Sequence, residues 1–207
     1  MTERSEERLT PVPVDSWSPE TREVLLRYLR RPEVYLSGGP DALPMPVVMG
    51  LYALNVTLAD KWLAFSNMLA SADSTIEPRL RELVICRVAW KTSSTYEWYQ
   101  HVRMGSAEGL STAQLYAVAQ GPYEEVWTPV ERALLSAVDE TIDAFRITNA
   151  TWEQLARSFD EAQLFELVHL IGSYLALATV MHSVGLRADA PQEGVDAPVL
   201  PEPEFDG

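Results

Sequence analysis

Helix-opening signals recur along this chain while strand signals hardly appear, which confines it to an all-α fold. In a capping box, Ser, Thr, Asp or Asn precedes a helix and Glu or Gln follows three residues later, so that side chains satisfy the first orphan backbone donors. The pattern occurs at Ser94-x-x-Glu97, Ser111-x-x-Gln114, Thr128-Pro129-x-Glu131, Thr151-x-x-Gln154 and Asp160-x-x-Gln163. Earlier, Ser18-Pro19 opens a helix predicted over about 19–31, ended by the Pro32 region and the Gly38-Gly39-Pro40 turn. A long helix is predicted near 47–72, where Leu51, Leu54, Leu58, Trp62, Phe65 and Leu69 fall at helical spacing. Another runs from Pro78 to about Lys91, with Ser74 or Thr75 near its start. The remaining helices follow their boxes, with Gly109 as a C′ residue and stops before Gly121-Pro122, at about Phe145 and at Gly185.

A chain of 207 residues fits one helical domain over 1–188, with a motif-bearing half at about 45–122 and a second half at about 128–187. The halves echo each other faintly: Phe165-Glu166-Leu167-Val168 matches Arg81-Glu82-Leu83-Val84. Residues 189–207 hold six acidic side chains and four prolines with no Lys or Arg, a composition expected to be disordered. The net charge of −14 argues against nucleic acid or an anionic membrane as partner, since both demand clustered cations. The apolar stretch Leu164–Leu186 is interrupted by Glu166, His169 and His182, so it reads as a core helix rather than a membrane span. Nothing at the N-terminus resembles a secretory segment, and a cytoplasmic location is expected. The single cysteine, Cys86, sits inside the apolar run LVICRVAW and reads as a small buried core residue.

The chemistry-bearing residues gather between Arg79 and His101. Glu97 and His101 are four apart and share a helical face, with Ser94 one turn earlier. A carboxylate beside an imidazole on an apolar face suits proton transfer near neutral pH. Each residue also has a structural reading. Ser94 and Glu97 form a capping box, and no nucleophile elbow surrounds Ser94. Glu82, among Ile85, Cys86 and Ala89, is either desolvated or held in an ion pair such as one with Arg79. His101 fits an apolar core with one satisfied ring nitrogen, and His169 and His182 read as structural. No His-Glu-x-x-His or di-iron pairing occurs, so no metal is expected.

The order Glu82-x11-Ser94-x2-Glu97-x3-His101 resembles the carboxymuconolactone decarboxylase family, in the alkylhydroperoxidase D-like superfamily. The resemblance spans roughly residues 45–187 and is strongest from Pro78 to Leu110. In the redox branch of that superfamily cysteines stand where this chain has Ser94 and Glu97; the triplet Tyr96-Glu97-Trp98 looks like the branch without the redox pair. The resemblance implies two weak helical repeats and catalytic roles for Glu82, Glu97 and His101. Ser94, Tyr96 and Trp98 are assigned to substrate contacts; Tyr96 and Trp98 read as pocket or core aromatics, with Tyr96 able to donate to a substrate carbonyl. In that reading His101 moves the proton, Glu97 orients or charges its ring, and Glu82 tunes the pair. The three are expected to meet in a largely apolar pocket beneath the turn at Lys91–Ser93.

The implied activity is a cofactor-independent, decarboxylase-like acid–base reaction on a small carboxylated or lactone-type metabolite. An isomerase, dehydratase or cyclase using the same Glu/His shuttle fits equally, and a non-catalytic ligand-binding or assembly protein is the alternative of a different class. A peroxidase like the redox branch is disfavoured, because Cys86 alone cannot form a dithiol. The nearly all-round apolar helices Leu80–Trp90 and Leu164–Val184, with the resemblance, predict a dimer or trimer of the chain.

Overall fold

The computed structural model describes residues 8–29, 31–37, 43–186 and 195–201. Among these residues there are ten α-helices, a 3-10 turn at Val14–Ser16 and no strand, so the all-α class predicted from sequence holds. The helices are α1 (Pro19–Leu26), α2 (Pro32–Leu36), α3 (Val47–Tyr52), α4 (Val56–Ala70), α5 (Pro78–Lys91), α6 (Thr95–Ala107), α7 (Thr112–Gln120), α8 (Pro129–Ala144), α9 (Asn149–Leu155) and α10 (Glu161–Val184). Reciprocal capping boxes form at Ser111/Gln114, Thr128/Glu131 and Asp160/Gln163. Elsewhere the boundaries move for local reasons. The long helix predicted over 47–72 is two helices, because Asn55 turns its side chain onto the Leu58 N–H and starts α4 afresh. The short helix opens on Thr148 rather than Thr151, and α5 is capped by Glu77 rather than Ser74 or Thr75.

Helix α5 is the axis of the molecule. Every residue from Arg81 to Ala89 is buried, with α6, α7, α8 and α10 packed around it. Its cations therefore need partners. Arg79 pairs with Glu131 at 2.6 Å, Arg87 forms a bidentate pair with Asp139 at 2.7 Å, and Lys91 reaches Asp143 at 2.9 Å. All three pairs join residues 52 apart in sequence, so α5 and α8 run parallel in a fixed register. Arg87 also donates to the Val118 carbonyl, tying in the end of α7. The bidentate Arg87–Asp139 pair has the geometry that gives such bonds their strength.

Helix α10 is long and apolar enough in composition to cross a membrane, with a mean hydropathy of 1.7. One of its faces packs inward through Leu164, Leu167, Leu170, Ile171, Ala178 and Met181. The opposite face carries exposed Phe165, Val168 and Val180, so the core helix expected from sequence is buried on one side only. Glu166, the echo of Glu82, accepts from the Ser74 and Thr75 hydroxyls and from the Thr75 N–H, anchoring the α4–α5 connection. His182 is held at 2.7 Å from the Thr92 carbonyl, a structural contact as predicted.

The disorder expected for 189–207 does not extend to its middle. Residues 195–201 lie extended against α6 and α7, with Leu200 buried, the Pro198 carbonyl accepting from Trp98 Nε1 at 3.0 Å, and Asp196 accepting from Tyr116. Trp98 exposes a polar N–H that needs an acceptor once its ring is buried, and this segment provides it. The remainder of that tail lies outside the described residues.

Cys86 is wholly buried, and desolvation, helped by the nearby Glu82 charge, pushes its thiol well above the ordinary range. In the folded protein it should resist a thiol reagent such as dithionitrobenzoate at pH 8 and react only on unfolding. Cys86→Ala should lower stability by on the order of 1 kcal/mol, measured by urea denaturation. Rapid labelling of the native chain would contradict this placement.

Candidate functional site

Helices α5 and α6 form a tight hairpin whose turn contains Ser93 in the left-handed region, at φ 53°. The turn is held by Thr92 Oγ1 to the Val88 carbonyl and by the Ser94 N–H to the Ala89 carbonyl. That second bond decides what Glu97 does. The Ser94 N–H is the donor a capping-box glutamate would take, and Ala89 already holds it. The box predicted at Ser94/Glu97 therefore does not form, and the Ser94 side chain makes no capping hydrogen bond. Glu97 is left buried at 1% exposure, with no hydrogen-bond partner for either carboxylate oxygen among the described residues. Burial raises its pKa to about 8, against a smaller opposing pull from the adjacent Ser94 hydroxyl.

His101 lies one turn further along α6 and is also buried. Its Nδ1 stands 2.7 Å from Oε2 of Glu82, which is 2% exposed on α5. With the carboxylate as acceptor, Nδ1 carries the proton and Nε2 is the ring's free base. The carboxylate that orients the imidazole is thus Glu82, where the sequence reading gave that duty to Glu97. Beside the pair, a Cβ on Gly105 would press on Leu110 Cδ1 at 2.7 Å while meeting the Glu82 Cβ at an ordinary contact distance of 3.5 Å. The Tyr174 ring of α10 meets the imidazole edge-on, with centroids 5.0 Å apart.

Glu97 and His101 both line a cavity of about 320 Å³ between α3, α4, α6 and α10. It is not beneath the 91–93 turn, and Glu82 sits behind His101 rather than in the wall. Gln100 and Met104 continue the α6 stripe into the cavity. Tyr28, Tyr52, Trp62, Ser66, Ser173 and Tyr174 complete much of the lining, and Tyr96 contributes as expected. Trp98 does not: it points into the opposite core, against Trp90 and the 195–201 segment. Ser94 is buried outside the lining, its hydroxyl without a hydrogen-bond partner. Burial pushes the Tyr52 phenol up to about 12 and raises Tyr174 well above the ordinary tyrosine range. Both remain neutral donors at any ordinary pH. Among the described residues no trio of His, Cys, Asp or Glu is grouped to hold a metal ion.

The lining residues that sequence reasoning missed come from the turn after α1 and from α3, α4 and α10, far from the motif in the chain. Within α6 the signal was available. Positions 97, 100, 101 and 104 form one helical stripe, whereas residue 98 is rotated about 100° from 97.

Comparison with known proteins agrees with this architecture. The carboxymuconolactone decarboxylase family matches over residues 57–140, which span α4 to most of α8. No curated protein sequence matches the chain. Among solved structures, an uncharacterized peroxidase-related protein from Silicibacter sp. TM1040 is 18% identical, with a TM-score of 0.71 over 95% of this chain and 99% of that one. The alkylhydroperoxidase AhpD core protein from Ralstonia eutropha JMP134, also peroxidase-related, is 16% identical, with a TM-score of 0.71 over 88% and 92%. The debrominase Bmp8, in complex with 2,3,4-tribromopyrrole, is 15% identical, with a TM-score of 0.68 over 92% and 95%. At these identities the likeness is one of fold. The family match falls on the helices that carry Glu82, Glu97 and His101, so residues 57–140 are similar to the carboxymuconolactone decarboxylase family, on a fold shared with AhpD-like structures.

Proposed function

We propose that the cavity performs cofactor-independent acid–base catalysis on a small carboxylated or lactone-type metabolite. The observation that carries this reading is the pairing of two unlike groups in one cavity: a histidine ordered by Glu82 and a carboxyl kept protonated by burial. Environments that drive two titratable groups apart divide acid from base duties. His101 Nε2 takes a proton from the carbon beside a carbonyl, and Glu82 stabilises the resulting imidazolium. Glu97 donates its hydrogen bond to the carbonyl oxygen, where the negative charge collects.

Return of the proton to a different carbon completes an isomerisation. Expulsion of a β-hydroxyl, which leaves as water with the proton of Glu97, completes a dehydration. If the substrate instead loses carbon dioxide, the carbanion left behind takes a proton from the imidazolium form of His101. The peroxidase chemistry of the redox branch has no support here, because a dithiol needs two cysteines and Cys86 is buried.

Self-association belongs to the same proposal. The outer face of α10 carries exposed Phe165, Val168 and Val180, next to exposed Leu58 and Met68 on α4. Phe65 of α4 packs near His169 of α10, so the two faces adjoin. A second copy of the chain is a suitable cover for apolar surface of this kind. Light scattering at micromolar concentration should give the mass of a dimer or trimer, and Phe165→Asp should reduce it. A monomeric wild-type mass would remove this part.

Turnover on whichever member of a lactone and keto-acid panel reacts should fall about 10²–10⁴-fold in His101→Gln, the usual contribution of a positioned general base. Glu97→Gln should lower kcat clearly and abolish the loss of rate that the wild type shows above about pH 8. Both variants should remain folded: His101→Gln should melt lower because it takes the donor from buried Glu82, whereas Glu97→Gln should melt no lower than wild type at neutral pH. If both variants fold and react normally, the proton shuttle is wrong and a binding role takes its place.

Stability gives a separate check. The Glu97 pKa is raised from 4.5 to about 8, so between those values the folded state holds a proton the unfolded state has lost. Stability contributed by this group is therefore full below about pH 4.5 and declines as pH rises toward 8, by at most about 1.4 kcal/mol per pH unit. The Gln variant should lack that decline when urea midpoints are compared from pH 5 to pH 9.

A further inference from the structure

The charge balance of the cavity selects among substrates. Its described lining holds one carboxyl, Glu97, and one imidazole, His101, and no lysine or arginine. Arg81 of α5, the buried cation beside Glu82 in sequence, gives its guanidinium to the Ser71 carbonyl and stays out of the wall. Behind His101 stands the Glu82 carboxylate. A substrate carboxylate entering this space would give up part of its water shell and, among the described lining residues, gain no fixed cation, with the Glu82 carboxylate behind His101. An anion in such surroundings is strongly disfavoured.

What the cavity offers instead is aromatic surface with neutral donors. Tyr28, Tyr52, Tyr96, Tyr174 and Trp62 supply rings, while Ser66, Asn67, Gln100 and Ser173 supply uncharged hydrogen-bonding groups. Its volume of about 320 Å³ lies at the small end of the range for small-molecule sites, about 300–1,000 Å³. Walls of this kind suit a flat, uncharged ring or conjugated carbonyl.

We infer that the substrate is a neutral, planar carbonyl compound, an unsaturated lactone or aryl ketone in chemical class, and that free carboxylates are excluded. This inference rests on the acid–base reading of the same cavity and narrows it: of the carboxylated and lactone-type classes, the site takes the second. Decarboxylation of a bound carboxylate then gives way to isomerisation, dehydration or ring closure at a carbon acid.

The test is a matched pair of probes, 4-hydroxyacetophenone and 4-hydroxybenzoate, which share ring and hydroxyl and differ in a neutral acetyl against an anionic carboxylate. Isothermal titration of the full chain at pH 7 should show the ketone binding at least about tenfold more tightly than the acid. Leu177→Trp, which fills the cavity from α10, should cost the ketone at least about tenfold in affinity. Met104→Trp, filling it from α6, serves as a second blocking variant should the first not fold. His101→Gln should keep the preference for the ketone, since discrimination comes from the walls rather than from proton transfer.

Equal or tighter binding of the carboxylate overturns the inference. So does failure of the ketone to bind, or ketone binding indifferent to a folded blocking variant. Loss of the kinetic effect of His101→Gln, with the ketone preference intact, would sink the catalytic reading and leave the ligand class standing.

Discussion

The hydrogen bond between Glu82 and His101 joins the molecule's most buried helix to the helix that builds its cavity. Helix α5 has no solvent face along its centre, so each charged group on it must find its counterpart within the protein. Arg79, Arg87 and Lys91 solve this toward α8, in a ladder that fixes the two helices parallel, and Arg81 turns to the Ser71 carbonyl. Glu82 solves it toward α6 and thereby sets the imidazole ring. Removing either partner would leave a buried polar group unsatisfied, which is why the position of His101 is as firmly determined as the core. The left-handed turn at Ser93 folds α6 back onto α5, which brings the two side chains together.

The two carboxylates differ in kind because the backbone treats them differently. Glu82 has a hydrogen-bonded partner, whereas Glu97 has been denied the one its local sequence promises. The Ala89 carbonyl occupies the Ser94 N–H, so the glutamate three residues on is turned inward with only the nearby Ser94 hydroxyl to offset its burial. A buried acid without a partner is ordinarily a cost to stability, and such costs collect at functional sites. Nothing in the core packing requires an acid at position 97.

Much of the fold was legible because its determinants are local. Ser111, Thr128 and Asp160 cap their helices through residues three positions away, and a sequence displays that spacing directly. Ser94 carries the same signature, yet its box is overruled by a carbonyl of the preceding helix. The run 47–72 reads as one helix because its apolar spacing continues through the break, and only the Asn55 cap divides it. The motif residues Glu82, Glu97 and His101 were visible through spacing and family resemblance. Their division of labour was not, since it depends on which side of α6 faces α5. Trp98 was placed in the site by adjacency to Glu97, although one step along a helix is about 100° of rotation. Tyr52, Trp62 and Tyr174 had no signal near the motif, because they arrive through tertiary packing.

The stretch from Val195 to Pro201 has a temporal consequence. Trp98 sits on the reverse side of the helix that presents Glu97 and His101, and its indole N–H is satisfied by the carbonyl of Pro198, 100 positions later. During synthesis on the ribosome, α5 and α6 emerge early, but that side of α6 keeps its indole exposed until Pro198 has also emerged. The cavity helix is thus sealed from behind after every other helix has been made. A contact of such long sequence separation forms slowly, because a loop of that size must close first. The rear of the cavity helix is therefore completed by residues made 100 positions after the indole they satisfy.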